Sequence, residues 1–190
     1  MTVLSEVYGQ FGNTRYQKVY NNDSLLLKSL NSDEYHDLVS GDGIMYYHHT
    51  WAVLKTTFDQ SEGLKEFWKL ISTSFCEDGT EFVATVESKD YPIFATQYHP
   101  EKNSYEWRIP AKRTYNSISA SQKFINTFIA LCKKNKNVMP EDERKKKIIY
   151  NYNPIFPDMQ ISFAQIYVFS EDKEIKELYG GELYSESNLR

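Results

Sequence analysis

Cysteine is scarce in this chain: two in 190 residues, Cys76 and Cys132, at unrelated spacing. Two thiols so placed form neither a disulfide framework nor a zinc site, so cysteine usage leaves the redox compartment open. Long apolar runs are missing as well, which argues against a membrane span. Met1 to Val7 lacks the basic start and apolar middle of a signal peptide. Positive charge is not in excess. The 22 Lys and Arg stand against 26 Asp and Glu, a net charge of -4, which argues against a nucleic-acid surface. The basic runs at 133–136 and 144–147 are short, and the first sits where cations offset a helix C-terminus, so both read as solvated faces. No internal repeat is visible, and the length suits one domain.

What is present is an alternation of strand-like and helix-like segments. Weak alternation from Val3 to Phe11 predicts a strand or extended arm within a polar stretch, 1–23. Ser24 caps a short helix through Leu30, Asn31 to Gly43 reads as loop, and Ile44 to Leu54 as strand with an interruption at the two histidines. Leu64, Phe67, Trp68 and Ile71 recur at helical spacing over Glu62 to Ile71. Gly79 opens a strand over Glu81 to Glu87, and Asp90-Tyr91-Pro92 turns into the next. The longest helix is expected over Ser117 to Lys134, with Cys132 a small buried hydrophobe on its apolar face, and Cys76 in a polar loop between helix and strand. Ile148 to Tyr152 and Phe163 to Phe169 read as strands.

The most informative segment is Tyr91 to Trp107, YPIFATQYHPEKNSYEW. Ile93, Phe94 and Ala95 form an apolar run without helical spacing, as in a strand buried on both faces, and it delivers His99 at its end. Pro100 pushes His99 toward extended geometry. Glu101 can then fold back onto one ring nitrogen, leaving the other free as a base for a Ser or Cys nucleophile. Those three residues alone favour a surface histidine beside solvated charge, since a lone His-Pro-Glu arises often by chance.

The longer run QYHPEKNSYEW resembles the histidine segment of the γ-glutamyl hydrolases, in the class I glutamine amidotransferase-like superfamily, with Tyr98 where the family usually has Trp. The resemblance continues through GTEFVATVESKDYPIFATQYHPEK, through LLLKSL and His49-Thr50-Trp51 upstream, and through Asn153-Pro154-Ile155 and Ile166 to Phe169 downstream, covering roughly residues 12–170. It implies an α/β fold: the C-terminal part of a mostly parallel, flavodoxin-like sheet with flanking helices, incomplete without another segment or chain. The implied organisation is an arm at 1–23, a hydrolase-like portion at 24–170 and an acidic tail at 171–190, the last reading as a disordered terminus or a docking element.

The resemblance implies His99 as catalytic base, Glu101 as its orienting carboxylate and His49 as a second histidine near substrate. It implies no cofactor. The family's nucleophile is a cysteine on a sharp strand-to-helix turn among small residues, and neither Cys76 nor Cys132 has that context. In the family it lies further upstream of the histidine than this sequence extends. The expectation is therefore cysteine-type hydrolysis of γ-glutamyl bonds, such as those of folate polyglutamates, once a nucleophile-bearing segment or chain completes the site. Two other readings compete: an inactive structural or interaction subunit of a larger assembly, and a fragment of a glutamine amidotransferase feeding ammonia to a synthase. The family also implies a lysosomal or secreted location, with which the sequon Asn22-Asp23-Ser24 is compatible.

Other groups have plainer readings. His48 and His49, adjacent on a strand, point to opposite faces and cannot share a metal ion. Tyr46, Tyr47, Trp51 and Phe58 could line a pteridine-sized pocket or simply pack. Glu106 and Trp107 could fix the loop after His99 or touch substrate, and Lys102 or Arg108 could meet a substrate carboxylate or be surface charge.

Overall fold

The computed structural model describes residues 4–11, 15–40, 43–107, 109–156 and 165–169, with the backbone alone for 8–11. It is a mixed α/β structure. Contacts divide the chain into two units, Met1–Asn135 and Lys136–Arg190.

The first unit is organised by a four-stranded sheet in the order β2-β4-β5-β6 and a two-stranded ribbon of β1 and β3. The strands are β1 (Ser5–Phe11), β2 (Lys18–Val19), β3 (His48–Ala52), β4 (Trp68–Phe75), β5 (Glu81–Ser88) and β6 (Phe94–Thr96). Every pairing between these strands is antiparallel. The mostly parallel sheet implied by the resemblance is thus not what the described strands make. The reason is connectivity: β4, β5 and β6 are joined by short turns, and parallel neighbours need a long crossover. The β4–β5 turn closes with the Cys76 carbonyl accepting from Gly79 N–H at 3.1 Å, and Gly79 supplies the positive φ, 85°, that the turn requires.

The core is built by Leu26, Leu38, Met45, Tyr47, Ile71, Phe82, Tyr98 and Phe124, drawn from strands, helices and the segments between them. Full burial of a side chain such as Phe82 contributes about 1.5–3 kcal/mol. Polar residues are buried beside it. Gln17, just before β2, links two distant segments, donating to the Tyr47 hydroxyl at 3.3 Å and accepting from Ser72 of β4 at 2.6 Å. Gly43, with φ 48°, approaches the Arg15 backbone so closely that a Cβ would lie 2.4 Å from it, so no other residue fits there without displacement.

Several expectations need correction. The segment read as loop contains α1 (Ser32–Val39), started by a capping box in which Asn31 and Glu34 exchange side-chain-to-backbone hydrogen bonds at 2.9 Å each. Its buried positions are Glu34 and Leu38, too few apolar residues to show a period. Ser24 starts only a 3₁₀ turn, Leu27–Ser29. The helix expected over Glu62 to Ile71 is cut short: α2 (Lys55–Gln60) and α3 (Glu62–Phe67) precede β4, whose aromatic, β-branched and hydroxyl residues suit a strand paired on both sides. Cys76 accordingly lies between two strands, buried, and burial raises its thiol pKa. The run Ile93 to Ala95 is not buried on both faces, because β6 ends the sheet, and Ile93 is 46% exposed.

Helix α4 (Lys102–Tyr105) follows the His99 turn, and α5 (Tyr115–Cys132) is the long helix expected. Its buried stripe, Ser117, Ala120, Ser121 and Phe124, occupies only the first half. The second half extends past the core, so Cys132 is exposed rather than buried. In the second unit, α6 (Glu141–Lys147) carries ion pairs one turn apart, Lys145 with Glu141 and Lys147 with Glu143. There Ile149–Asn151 is a 3₁₀ turn rather than a strand, and Ile155 pairs with Ile166 in an antiparallel bridge. The segment 157–164 and the tail 171–190 lie outside the described residues.

Candidate functional site

His99 follows β6 after one bridged residue, Tyr98, which pairs with Tyr47. Two features hold the turn. The His99 backbone N–H donates to the Tyr46 carbonyl at 2.8 Å, and the His99 carbonyl accepts from Lys102 N–H at 3.2 Å as α4 begins. Beneath them Tyr98 is buried, its hydroxyl 3.0 Å from that of Thr85 and its ring 5.8 Å from Tyr47. A phenol here serves packing and satisfies its polar tip at once.

The ring of His99 is oriented as the His-Pro-Glu spacing predicts. Its Nδ1 lies 3.0 Å from Glu101 Oε1, while Nε2 is 3.5 Å from the His48 carbonyl oxygen, at the limit of a hydrogen bond. The His99 side chain is 35% exposed and that of Glu101 55%. Burial pulls the Glu101 carboxyl upward, but the His99 hydrogen bond, a backbone N–H and the charges of His99 and Lys102 together hold it below the ordinary carboxylate range. Glu101 is therefore ionised at neutral pH and selects the tautomer in which Nδ1 carries the proton. Nε2 is then the basic nitrogen.

Two further histidines sit beside it on β3. His48 is exposed, and burial of its ring, with Lys102 and His99 nearby, lowers its pKa. His49 is more enclosed: its ring packs 5.9 Å from Tyr47 and 5.1 Å from Phe82, and among the described residues neither nitrogen has a partner at hydrogen-bond geometry. Burial chiefly lowers its pKa, to about 4, with His99 and His48 adding to the effect and a Trp51 backbone group opposing it. The two rings have different neighbours, His48 meeting Tyr46 edge-on at 6.2 Å and His49 meeting Tyr47 and Phe82. Among the described residues no three His, Cys, Asp or Glu side chains group so as to hold a metal ion.

The aromatic residues near His49 differ in exposure. Tyr46, Tyr47 and Phe58 are buried, and Trp51 is 51% exposed. Glu106 has a buried carboxylate oxygen without a partner among the described residues, while Trp107 is exposed under the Arg113 guanidinium at 4.7 Å. Lys102 is partly buried, and Arg108 lies outside the described residues. One residue that sequence reading passed over organises the turn. Asn103, fully buried, donates to the carbonyls of Ile44 at 3.0 Å and Lys112 at 2.8 Å, clamping the segment before His48 to the loop before α5. Its signal in the sequence is only its place one helical turn after His99.

Sequence comparison bears on this arrangement. The chain is 33% identical over 135 residues to γ-glutamyl hydrolase B of Dictyostelium discoideum, covering 70% of this chain and 39% of that protein. It is 32% identical over 130 residues to γ-glutamyl hydrolase of Homo sapiens, covering 64% of this chain and 39% of that protein. This chain belongs to the γ-glutamyl hydrolase family. A third relative, γ-glutamyl hydrolase 1 of Arabidopsis thaliana, is 26% identical over 155 residues, 80% of this chain and 44% of that protein. The chain thus spans about two fifths of the length of the γ-glutamyl hydrolases it matches. No family model matches it.

Proposed function

We propose that this chain is the histidine-bearing portion of a γ-glutamyl hydrolase, and that it takes part in cysteine-type hydrolysis of γ-glutamyl bonds once a nucleophile-bearing segment or chain completes the site. The observation that carries the reading is the 3.0 Å Nδ1–Glu101 contact, which orients the His99 ring and leaves Nε2 the basic nitrogen in a member of this family. In this scheme His99 Nε2 takes the thiol proton of the incoming cysteine. The thiolate attacks the γ-carbonyl carbon and the C–N bond breaks, the leaving amine receiving the proton from His99. Water, deprotonated by the same nitrogen, then hydrolyses the thioester, returning a free γ-carboxylate and the thiol. His49, kept neutral by burial, borders the substrate as a ring that can donate or accept without carrying charge.

The nucleophile comes from outside this sequence on chemical grounds. Cys76 is buried with a raised thiol pKa, the opposite of an activated thiol, and it closes a strand-to-strand turn. Cys132 stands on the exposed half of α5. The antiparallel strands described here are accordingly the edge region of a larger class I glutamine amidotransferase-like sheet, whose remaining strands the completing polypeptide supplies. γ-Linked polyglutamates of folates are the substrate class.

The experiment joins this chain with the remainder of Dictyostelium discoideum γ-glutamyl hydrolase B and offers a γ-linked diglutamate. Glutamate release is expected, abolished by iodoacetamide and by His99→Ala. Release that persists undiminished in His99→Ala would sink the proposal.

A further inference from the structure

One motif of the sequence has no part in the site around His99: the triplet Asn22-Asp23-Ser24. Asn-X-Ser is the acceptor pattern for an N-linked oligosaccharide, and no other Asn in the chain has Ser or Thr two residues on. A triplet alone arises often by chance. The fold around it decides.

The segment forms a turn between β2 and the 3₁₀ turn at Leu27. Tyr20 N–H donates to the Ile71 carbonyl of β4 at 2.8 Å, and Asn21 Oδ1 accepts from the Asp23 N–H at 2.8 Å, closing an Asx turn around Asn22. Asn22 itself is exposed. Its Oδ1 accepts from the hydroxyl of Tyr35 on α1 at 3.0 Å, while its Nδ2 has no hydrogen-bond partner among the described residues. A side-chain amide is planar, so a bond that holds the oxygen also fixes the nitrogen. The nitrogen, the atom that takes the sugar, is the one left over. Apolar side chains close by in sequence are exposed as well, Tyr20 at 42% and Leu25 at 49%, the kind of surface that a bulky, solubilising sugar covers.

Ser24 fixes the order of events. The acceptor pattern requires its hydroxyl, yet in the fold that residue is fully buried, its Oγ donating to Glu87 Oε1 at 2.6 Å and accepting from the Leu27 N–H at 3.1 Å. Glu87 also accepts from the N–H groups of Leu25 and Leu26 at 3.2 Å each, so exposing Ser24 undoes the start of the 3₁₀ turn with it. A transferase reads this triplet only while the segment is open.

We propose that Asn22 carries an N-linked oligosaccharide, attached before Ser24 docks on Glu87. The donor is an oligosaccharide linked to a polyprenyl diphosphate. Asn22 Nδ2 forms a bond to the anomeric carbon, the bond from that carbon to the diphosphate oxygen breaks, the diphosphate leaves with the electron pair, and the amide gives up one proton to the transferase. Once the chain folds, Tyr35 keeps its bond to Oδ1, so the modified turn closes as the bare one does. None of this depends on hydrolysis at His99.

The test is translation of the full chain behind a cleavable signal peptide in the presence of microsomes, followed by peptide N-glycosidase in heavy-oxygen water and peptide mass spectrometry. Expected are one glycosidase-sensitive mass shift, recovery of position 22 as an aspartate bearing heavy oxygen, loss of the shift in Asn22→Gln and its retention in Ser24→Thr. The purified, folded chain offered to detergent-permeabilised microsomes should take up no sugar, whereas a synthetic peptide of residues 18–28 should. The proposal is overturned by a parent chain that shows no shift, by a shift that survives Asn22→Gln, or by modification of the folded chain to the same extent as the peptide.

Discussion

Two acid–base pairs in this chain look alike on paper and differ in every physical respect. Glu34 on α1 meets Lys123 on α5 at 2.6 Å, and Glu101 meets His99 at 3.0 Å. Glu34 is wholly buried and has every lone pair engaged, by Lys123, by Ser119 at 2.6 Å and by the Asn31 N–H at 2.9 Å. Glu101 is half exposed and meets one ring nitrogen of His99, whose other nitrogen lies 3.5 Å from the His48 carbonyl oxygen, the outer limit of a hydrogen bond. A buried, fully engaged carboxylate is a staple between helices. A half-exposed one that engages only one side of a histidine leaves chemical capacity in reserve.

The largest effect expected is on the second pair. In the completed enzyme His99→Ala should lower kcat by about 10²–10⁴-fold, the range for removing a general base, and shift thermal stability of this chain by less than about 0.5 kcal/mol. A fall in stability comparable to the loss of activity would erase the contrast between the pairs. The reverse pattern belongs to Glu34→Ala, which should cost about 3 kcal/mol in urea denaturation, toward the low end for severing a buried pair because Lys123 can reach water. An unchanged midpoint would show that the helix staple contributes nothing.

Smaller still is Glu101→Ala, expected to lower kcat by about tenfold, since it disturbs orientation of the ring rather than the base itself. A loss equal to that of His99→Ala would assign Glu101 a direct part in the chemistry. The last expectation concerns pH. His49 has a folded pKa of about 4, below its ordinary value, so the unfolded state takes up its proton first. The stability this neutral ring contributes is full above about pH 6.5, the unfolded value, and is lost as pH falls toward 4. His49→Phe should therefore flatten the decline in stability between those values, measured by urea denaturation at each pH. Glu34 acts in the same direction lower down: its carboxyl is held below the usual range because its hydrogen bonds and Lys123 outweigh burial, so its staple fails only as pH drops through that depressed value. A decline unaltered in His49→Phe would remove that ring from the acid response.

The contrast also explains what could be read beforehand. His99, Pro100 and Glu101 are neighbours in sequence, so the ring's orientation follows from local backbone geometry, and the 3.0 Å contact matches the expectation from their spacing. Strand β5 and helix α5 were likewise legible, because each has a sustained period. Glu34 was not, since its partners lie 85 and 89 positions away on α5. Nor was Asn103, whose value depends on two carbonyls that only the folded chain places beside it. The misreading of Glu62 to Ile71 has a similar origin: four apolar residues at helical spacing straddle the end of α3 and the start of β4, and local periodicity cannot say that a partner strand waits at Glu81–Ser88.

By itself, then, the sequence determined the family, the orientation of the His99 ring by Glu101 and the absence of a Gly-flanked cysteine, because each is a matter of residues adjacent along the chain. Tertiary structure decided what adjacency cannot reach. It set β6 at the end of an antiparallel sheet, left Cys132 in the open and Cys76 under cover, and placed an apolar cavity along the strand that leads to His99. Those features depend on which distant elements pack together, and packing is settled only when the whole apolar surface competes for burial.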